Sequence, residues 1–319
     1  MRLKLVPKNT SWNFFSRSKV WIGLSIILVV LSLISFFVQS LNFGIDFRGG
    51  TSIRTESSEP INVAAYRSAL SSLDLGDITI SEVFDPSFEA DQNVAMIRIQ
   101  AQPGQEAATS ILVENSLQNL KGVSEDIKFV SVESVGPKVS GELIKTAIIA
   151  VILAISAVLF YIWIRFEWQF AVGAISALIH DVILTIGIFS LLQIKFDLAI
   201  IAAILTIVGY SLNDTVVVFD RVRENLRKFK KRSLIEVMNL SINETMSRTV
   251  MTSVTTLLAL VSLFVLGGDV IRGFVFAMIW GVVVGTYSSI FIASAILLST
   301  GVKRDWSKPN AEAGTQVPQ

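Results

Sequence analysis

A continuous apolar run, IIAAILTIVGYSLNDTVVVF, occupies residues 200–219 and holds the pair Asn213–Asp214 in its second half. A helix of about 20 apolar residues spans the hydrocarbon core of a bilayer. A carboxylate within such a helix costs about 2.5–3.5 kcal/mol or more to insert, so it usually faces a bundle interior or an aqueous path. The run therefore predicts a membrane helix with an ionisable group inside it, which is the main functional indication in the chain.

The composition excludes a typical soluble protein. Hydrophobic residues make up 52% of the 319 residues, charged residues make up 17%, and the mean hydropathy is +0.61. The net charge of +1 gives no bias towards a nucleic-acid partner. The absence of Cys excludes disulfides and thiol chemistry, and a single His argues against a structural zinc site. We therefore expect a polytopic membrane protein with no metal, no cofactor and no enzyme active site.

Six apolar runs are long enough to span a bilayer. The N-terminal segment 1–19, the connector 220–247 and the tail 299–319 are basic, which predicts that both termini and the connector are cytoplasmic. The first run is long for a signal peptide and lacks a small-residue cleavage site, so we interpret it as an uncleaved span. Apolar residues recur at helical spacing in the connector and predict that it is partly helical along the membrane surface. The predicted spans are residues 20–38, 142–164, 170–192, 198–219, 248–266 and 271–298.

Residues 39–141 form a polar segment between the first two spans. It is acidic, with 14 Asp and Glu against 7 Lys and Arg over residues 41–140, and we expect it to be a periplasmic domain. Alternating and helical apolar patterns give the order βαββαβ, which is that of a ferredoxin-like α+β domain. Its predicted strands are residues 51–56, 78–84, 94–101 and 127–135, and its predicted helices are residues 62–73 and 106–120.

Asp214 is the first candidate for chemistry, as a proton carrier whose charge is removed by protonation. It lies about 8 Å inside its span, counted from the cytoplasmic end at 1.5 Å per residue. The alternative is a static structural carboxylate held by hydrogen bonds or an ion pair. We favour the proton carrier because Asn or Ser could fill a structural role at lower cost.

Arg248 opens the fifth span, where an antiparallel neighbour of the fourth span would present it near Asp214. It could equally be a membrane anchor that reaches the headgroups. Thr252 belongs to a hydroxyl stripe that continues along the same helix, and such a stripe lines a hydrated path or, more often, packs against a neighbouring helix. The stripe consists of Thr249, Thr252, Ser253 and Thr256.

His180 and Asp181 lie near the middle of the third span. Histidine titrates near neutral pH, so this pair could relay protons. Adjacent residues on a helix point about 100° apart, so both cannot face a single partner. The alternative is a polar pair that packs against the second or fourth span.

Glycines mark two further places in the chain. Gly281 and Gly285 form a GxxxG pattern, which permits close helix contact and often means only that. Gly49 and Gly50 follow the first span closely, and paired glycines allow backbone conformations that suit a turn from a membrane helix into a sheet. Gly136–Pro137 separates the last predicted strand from the second span.

Five segments of the chain resemble the SecF branch of the SecD/SecF family, within the resistance-nodulation-division superfamily. They lie between about residue 40 and residue 255, and together they are highly specific. The segments are FGIDFRGGT after the first span, SVGPKVSGEL before the second, ALIHDVILTIG in the third, VGYSLNDTVVVFDRVREN in the fourth and SRTVMTS at the start of the fifth.

The resemblance implies a subunit of the Sec protein export machinery in the bacterial inner membrane. It implies a heterodimer with SecD, an association with the SecYEG channel and YajC, and proton flow that drives outward movement of a translocating polypeptide. By the family pattern, Asp214 carries the proton, Arg248 is its charged neighbour, and His180–Asp181 lies in a family motif. The segments at Gly49–Gly50 and Gly136–Pro137 would be hinges to the outer domain.

Two other classes of function remain open at this point. One is a proton-coupled efflux subunit for small solutes from the same superfamily, although the outer domains of such pumps are usually much larger. The other is a scaffold subunit that transports nothing, which would leave the membrane-embedded Asp214 without a role to offset its cost.

Overall fold

The structure, a computed structural model, describes residues 10–71, 75, 78–83, 92–100, 111, 115 and 127–302. The described strands are β1 (Gly50–Ser57), β2 (Ile78–Val83), β3 (Asn93–Ile99) and β4 (Lys128–Val135). A π-helical segment, Ser289–Ala293, joins the last two helices. The helices are α1 (Ser18–Gln39), α2 (Ile45–Arg48), α3 (Val63–Ser71), α4 (Pro137–Arg165), α5 (Trp168–Leu192), α6 (Leu198–Lys228), α7 (Leu234–Leu266), α8 (Asp269–Ser288) and α9 (Ser294–Thr300).

Six helical segments in the described part are long and apolar enough to cross a membrane, as the sequence predicts. They are α1, α4, α5, α6, α7, and α8 with α9. In the most apolar stretch of each, the buried share is 50% in α5, 44% in α6 and 67% in α8–α9, against 11%, 6% and 11% in α1, α4 and α7. The bundle therefore has three inner segments and three outer helices.

Aromatic and aliphatic side chains fill the bundle at both ends. Near the end of α4, Phe166 and Phe170 pack with Phe219 of α6, the ring centroids of Phe170 and Phe219 lying 5.2 Å apart. At the other end, Phe189 of α5 packs against Phe196 before α6. We call the end with Phe189 and Phe196 the sheet end, because α2 and β1 start there. The end with Phe170 and Phe219 is called the basic end.

The described strands form one antiparallel sheet with the order β2-β3-β1-β4. One face is apolar, since Ile53 of β1 lies opposite Ile97 of β3 and packs with Tyr66 and Leu70 of α3. The predicted helix 106–120 lies outside the described residues except at positions 111 and 115, which are helical. An α+β domain with four strands is thus present, and its ferredoxin-like topology stays a prediction.

The connector 220–247 is partly helical, as predicted. Its helical parts continue the neighbouring spans, because α6 runs on to Lys228 and α7 already begins at Leu234, in continuity with the fifth span. Ser233 caps α7 in a capping box with Glu236, which starts the helix early. The apolar face that predicts a helix is real, but it packs against the end of α6 rather than lying on lipid. This face includes Val237, Met238 and Ile242, and it meets Val222 and Leu226.

The sixth span is not a uniform α-helix. It contains the π-helical turn at Ser289–Ala293, whose residues are mostly buried. Such turns insert one extra residue into a helix and are frequent at functional sites. The periodicity of an apolar helix does not reveal one, so the sequence predicts no interruption here.

Candidate functional site: a buried polar network in the bundle

The carboxylate of Asp181 lies at the meeting point of the three inner segments. It is 1% exposed, and each of its oxygens lies within hydrogen-bond distance of at least one other side chain. Ser211 Oγ of α6 and Ser288 Oγ of α8 donate to Oδ2 at 2.6 and 2.8 Å. His180 Nδ1 lies 3.0 Å from Oδ1. A carboxylate with this many partners is held in place and ties α5 to α6 and α8.

Small residues on α8 allow this close approach. A Cβ added to Gly285 would lie 3.0 Å from Ser211 Cβ, and one added to Gly281 would overlap the side chain of Ile207. The GxxxG pattern therefore packs α8 directly on α6, as predicted for close helix contact. This contact brings Ser211 and Ser288 to the same carboxylate.

His180 extends the network towards α1. Its ring lies 6.1 Å from that of Tyr287. Tyr287 Oη donates to the carbonyl of Trp21 at 2.9 Å and shares a 2.8 Å hydrogen bond with Ser25. His180 Nε2 is buried and has no hydrogen-bond partner among the described residues. In the neutral tautomer that carries its proton on Nδ1 and donates to Oδ1 of Asp181, Nε2 is a buried acceptor.

Asp214 lies in the same helix as Ser211, one turn nearer the basic end. It is 3% exposed, yet its Oδ2 has no hydrogen-bond partner in the described part of the chain. Thr249 Oγ1 of α7 is buried and unpaired in the same way. The two intramembrane carboxylates thus differ, since Asp181 is held by three side chains while Asp214 is buried with an oxygen open to a proton or a water.

Arg248 and Asn213 lie outside this buried core. Both are exposed and line an open cavity of about 530 Å³ between α6 and α7. Arg248 is close enough to attract Asp214 electrostatically. No described cation, however, forms an ion pair with Asp214 within 4.0 Å. The cavity therefore holds a positive charge near Asp214, which is not itself a lining residue, without an ion pair between them.

The hydroxyl groups of the α7 stripe make two kinds of hydrogen bond, one to a neighbouring helix and one within α7. Ser253 lies 2.7 Å from Thr286 Oγ1 of α8, so it joins the two helices. Thr252 donates to carbonyls of its own helix, those of Arg248 and Thr249. These contacts fit the helix-packing interpretation of the stripe.

For His180 and Asp181 the sequence indicates a proton relay or a polar pair that packs against the second or fourth span, and it predicts neither their contact with each other nor the contact with the sixth span. Asp181 does meet the fourth span, through Ser211, but it equally meets Ser288. A signal for Ser288 existed, because it is a polar residue shortly after the GxxxG pattern in an apolar span. Tyr287 next to it carried the same signal.

The two predicted hinges differ in backbone geometry. Gly49 has φ 71° and ψ 168°, and Gly50 has φ 124°, conformations that are open almost only to glycine. Before them, Ile45–Arg48 forms a single helical turn rather than an open loop. Gly136 has φ −67° and ψ 151°, which any residue adopts, and Pro137 is the first residue of α4.

Comparison with known proteins places this geometry in a family. The family model described as protein export membrane protein SecD/SecF, C-terminal, matches residues 115–303, and the SecD/SecF GG motif matches residues 34–61. A protein translocase subunit SecF of Cereibacter sphaeroides is 59% identical over 99% of this chain and 97% of its own length. The corresponding subunit of Vibrio alginolyticus is 41% identical over 93% of this chain and 92% of its own.

Solved structures agree with the sequence relatives. A crystal structure of SecDF from Thermus thermophilus, described as a translocon-associated membrane protein, matches with a TM-score of 0.80 and 33% identity. A super-membrane-facing form of SecDF matches with a TM-score of 0.68 and 34% identity. Each match covers 94% of this chain but only 40% of the SecDF chain. The chain therefore belongs to the SecD/SecF family of protein export membrane proteins.

Proposed function

We propose that the chain is a subunit of the Sec protein translocation machinery that couples proton flow to the export of polypeptides. It forms a heterodimer with SecD and works with the SecYEG channel and YajC in the bacterial inner membrane. Support for this comes from the SecF relatives, which match nearly the whole chain, and from the SecDF structures, in which this chain corresponds to about two fifths. The mechanism itself rests on the residues of the bundle.

The contrast between the two buried carboxylates is the observation that carries the proposal. Both carboxylate oxygens of Asp181 have side-chain partners, which hold this group in one position. Asp214 is as deeply buried but lacks a partner for Oδ2. A buried polar atom without a partner costs about 1–3 kcal/mol, which a proton or a water would relieve. Asp214 is therefore the carboxylate that changes state, and Asp181 is the one that does not.

Protonation of Asp214 removes a charge beside the open cavity and weakens its attraction to Arg248. A proton can shift a conformational equilibrium only if its affinity differs between the two states. In this mechanism the two states differ in how α6 and α7 expose Asp214 to the cavity that holds Asn213 and Arg248. The movement passes to the outer domain along α4 and α1, whose connections to the sheet are the hinges at Gly136–Pro137 and Gly49–Gly50.

The orientation follows from charge. The basic end carries the turn between α6 and α7, with Lys230, Lys231 and Arg232. Positive residues favour the cytoplasmic side of a membrane. Both termini are then cytoplasmic, and the sheet lies in the periplasm where the translocating polypeptide emerges.

The test is the substitution Asp214→Asn in cells that depend on this chain, with export of a secreted protein measured with and without a proton gradient. The amide keeps the shape but cannot carry a proton, so we expect the part of export that depends on the gradient to be lost. Membrane abundance and co-purification with SecD should stay normal. Glu142→Gln, the same kind of change at an exposed position of α4, is the matched control and should export normally.

Two results would point elsewhere. Full gradient-dependent export by Asp214→Asn would contradict the mechanism and leave a scaffold role or a proton path in the partner. Normal protein export together with loss of small-solute efflux would instead support an efflux subunit.

A further inference from the structure

A polar cavity of about 470 Å³ opens at the basic end, where α4 ends and the last turns of α6 leave the bundle. It adjoins the cavity that holds Asn213 and Arg248, with which it shares Asp220 and Glu224. The mechanism proposed above makes no use of it. Its lining residues are Arg165, Asp220, Arg223, Glu224, Arg227 and Lys228.

The cavity carries four cations against two carboxylates, and both carboxylates already have a cationic partner. The two oxygens of Asp220 each lie 3.1 Å from Nη2 of Arg165. Glu224 accepts from Nη1 of Arg221, which is outside the lining, at 2.6 Å. The residues that line the cavity therefore carry a formal net charge of +2, from four cations and two carboxylates.

The cations come from two helices that are held in register. Arg223 Nη1 of α6 donates to the carbonyl of Arg165 at the end of α4, at 3.2 Å. The guanidinium of Arg165 lies over the ring of Phe166, 5.2 Å from its centroid. The site is thus built from two segments distant in sequence, unlike a run of lysines on one flexible loop.

Aromatic residues mark the depth of this cavity in the membrane. Trp163 is 67% exposed and Trp168 is 58% exposed, and they flank the turn that follows Arg165. Exposed tryptophans favour the headgroup level of a bilayer. Next to them, Phe160 and Ile164 present apolar surface on the membrane side of α4.

We propose that this cavity binds the headgroup phosphate of an anionic phospholipid, with the acyl chains lying along the exposed face of α4. Guanidinium groups match phosphate oxygens in geometry and charge. Basic pockets between helices on the cytoplasmic side are the expected place for such headgroups. The inference does not depend on proton coupling.

Native mass spectrometry of the full chain in detergent tests it, with phosphatidylglycerol and phosphatidylcholine added at equal concentration. We expect the wild type to retain phosphatidylglycerol in preference. The double variant Arg223→Gln/Lys228→Gln should bind it at least about fivefold more weakly, since each basic residue near the surface contributes to attraction of anionic lipid. The matched control is Lys230→Gln/Lys231→Gln, which removes the same charge from exposed residues outside the cavity and should stay within about twofold.

Three results would overturn the proposal. One is equal retention of the two lipids by the wild type, a comparison that needs no variant. Another is an equal loss in both double variants, which would indicate diffuse attraction to the whole basic end. The third is full displacement of the lipid by millimolar inorganic phosphate, which would make the cavity a simple anion site.

Discussion

Among the described membrane helices, the most apolar one is the least buried. The best stretch of α4 has a mean hydropathy of 2.8 and 6% of it is buried, whereas α6 has 1.7 and 44% is buried. In a water-soluble protein the most apolar helix would instead be the most buried. Within a bilayer, lipid tails are as apolar as leucine, so helices associate through small residues, close contact and hydrogen bonds. The inner segments are therefore the ones that carry polar groups, including Asp181, Asp214 and the serines around them.

The same contrast explains where each kind of residue lies on the surface. Leu153 of α4 and Leu258 of α7 are 63% and 65% exposed, and both face outwards from the bundle. Such faces suit lipid or the proposed SecD partner. Substitutions in inner and outer helices should therefore have very different effects on the isolated chain.

The largest difference in stability between inner and outer positions is expected for substitutions of large apolar side chains. Phe170→Ala would empty a fully buried site between Phe166 and Phe219, and we expect it to lower the free energy of unfolding by about 3–5 kcal/mol. Leu258→Ala on the outer face should change it by about 0.5 kcal/mol or less. Thermal unfolding of the purified chain in detergent gives both values. Equal effects would mean that the inner and outer helices are packed alike.

A smaller difference in stability is expected between glycine substitutions at inner and outer positions. A Cβ at Gly281 would overlap the branched side chain of Ile207, so Gly281→Ala should destabilise the chain by about 1–3 kcal/mol through overpacking. Gly23 of α1 has no atom within 4 Å of an added Cβ. Gly23→Ala should therefore be neutral or stabilising, because alanine is the better helix former. Unfolding curves of the two variants should shift in opposite directions or, at the least, by clearly different amounts.

The smallest difference in stability is expected for the removal of single hydroxyl groups at inner and outer positions. Ser288→Ala removes one of the two hydroxyls that donate to Asp181 Oδ2, and we expect a loss of about 0.6–1.7 kcal/mol. Ser262→Ala removes a hydroxyl of α7 that only donates to the carbonyl of Leu258 and is exposed, so it should change little. If Ser288→Ala were as mild as its control, the network around Asp181 would contribute no stability.

Much of the architecture is determined by the sequence alone. Six long apolar runs must become helices in a bilayer, since no other single-chain segment satisfies its backbone there. Alternating residues such as Ile78 to Val83 and Asn93 to Ile99 specify strands, and the structure has them. The position of Asp214 within one apolar run likewise shows that its carboxylate is costly to bury, and its functional role stays a prediction.

Only the tertiary structure decided which polar residues meet. The fourth and sixth spans are far apart along the chain, and the sequence pattern of each says which face is polar but not which helix it touches. Ser211 and Ser288 reach the same oxygen of Asp181 because Gly285 lets α8 approach α6 closely. Asp214, one turn away on α6, receives no such partner for its Oδ2. That difference between two buried carboxylates arises from packing across helices, which no local pattern in the sequence encodes.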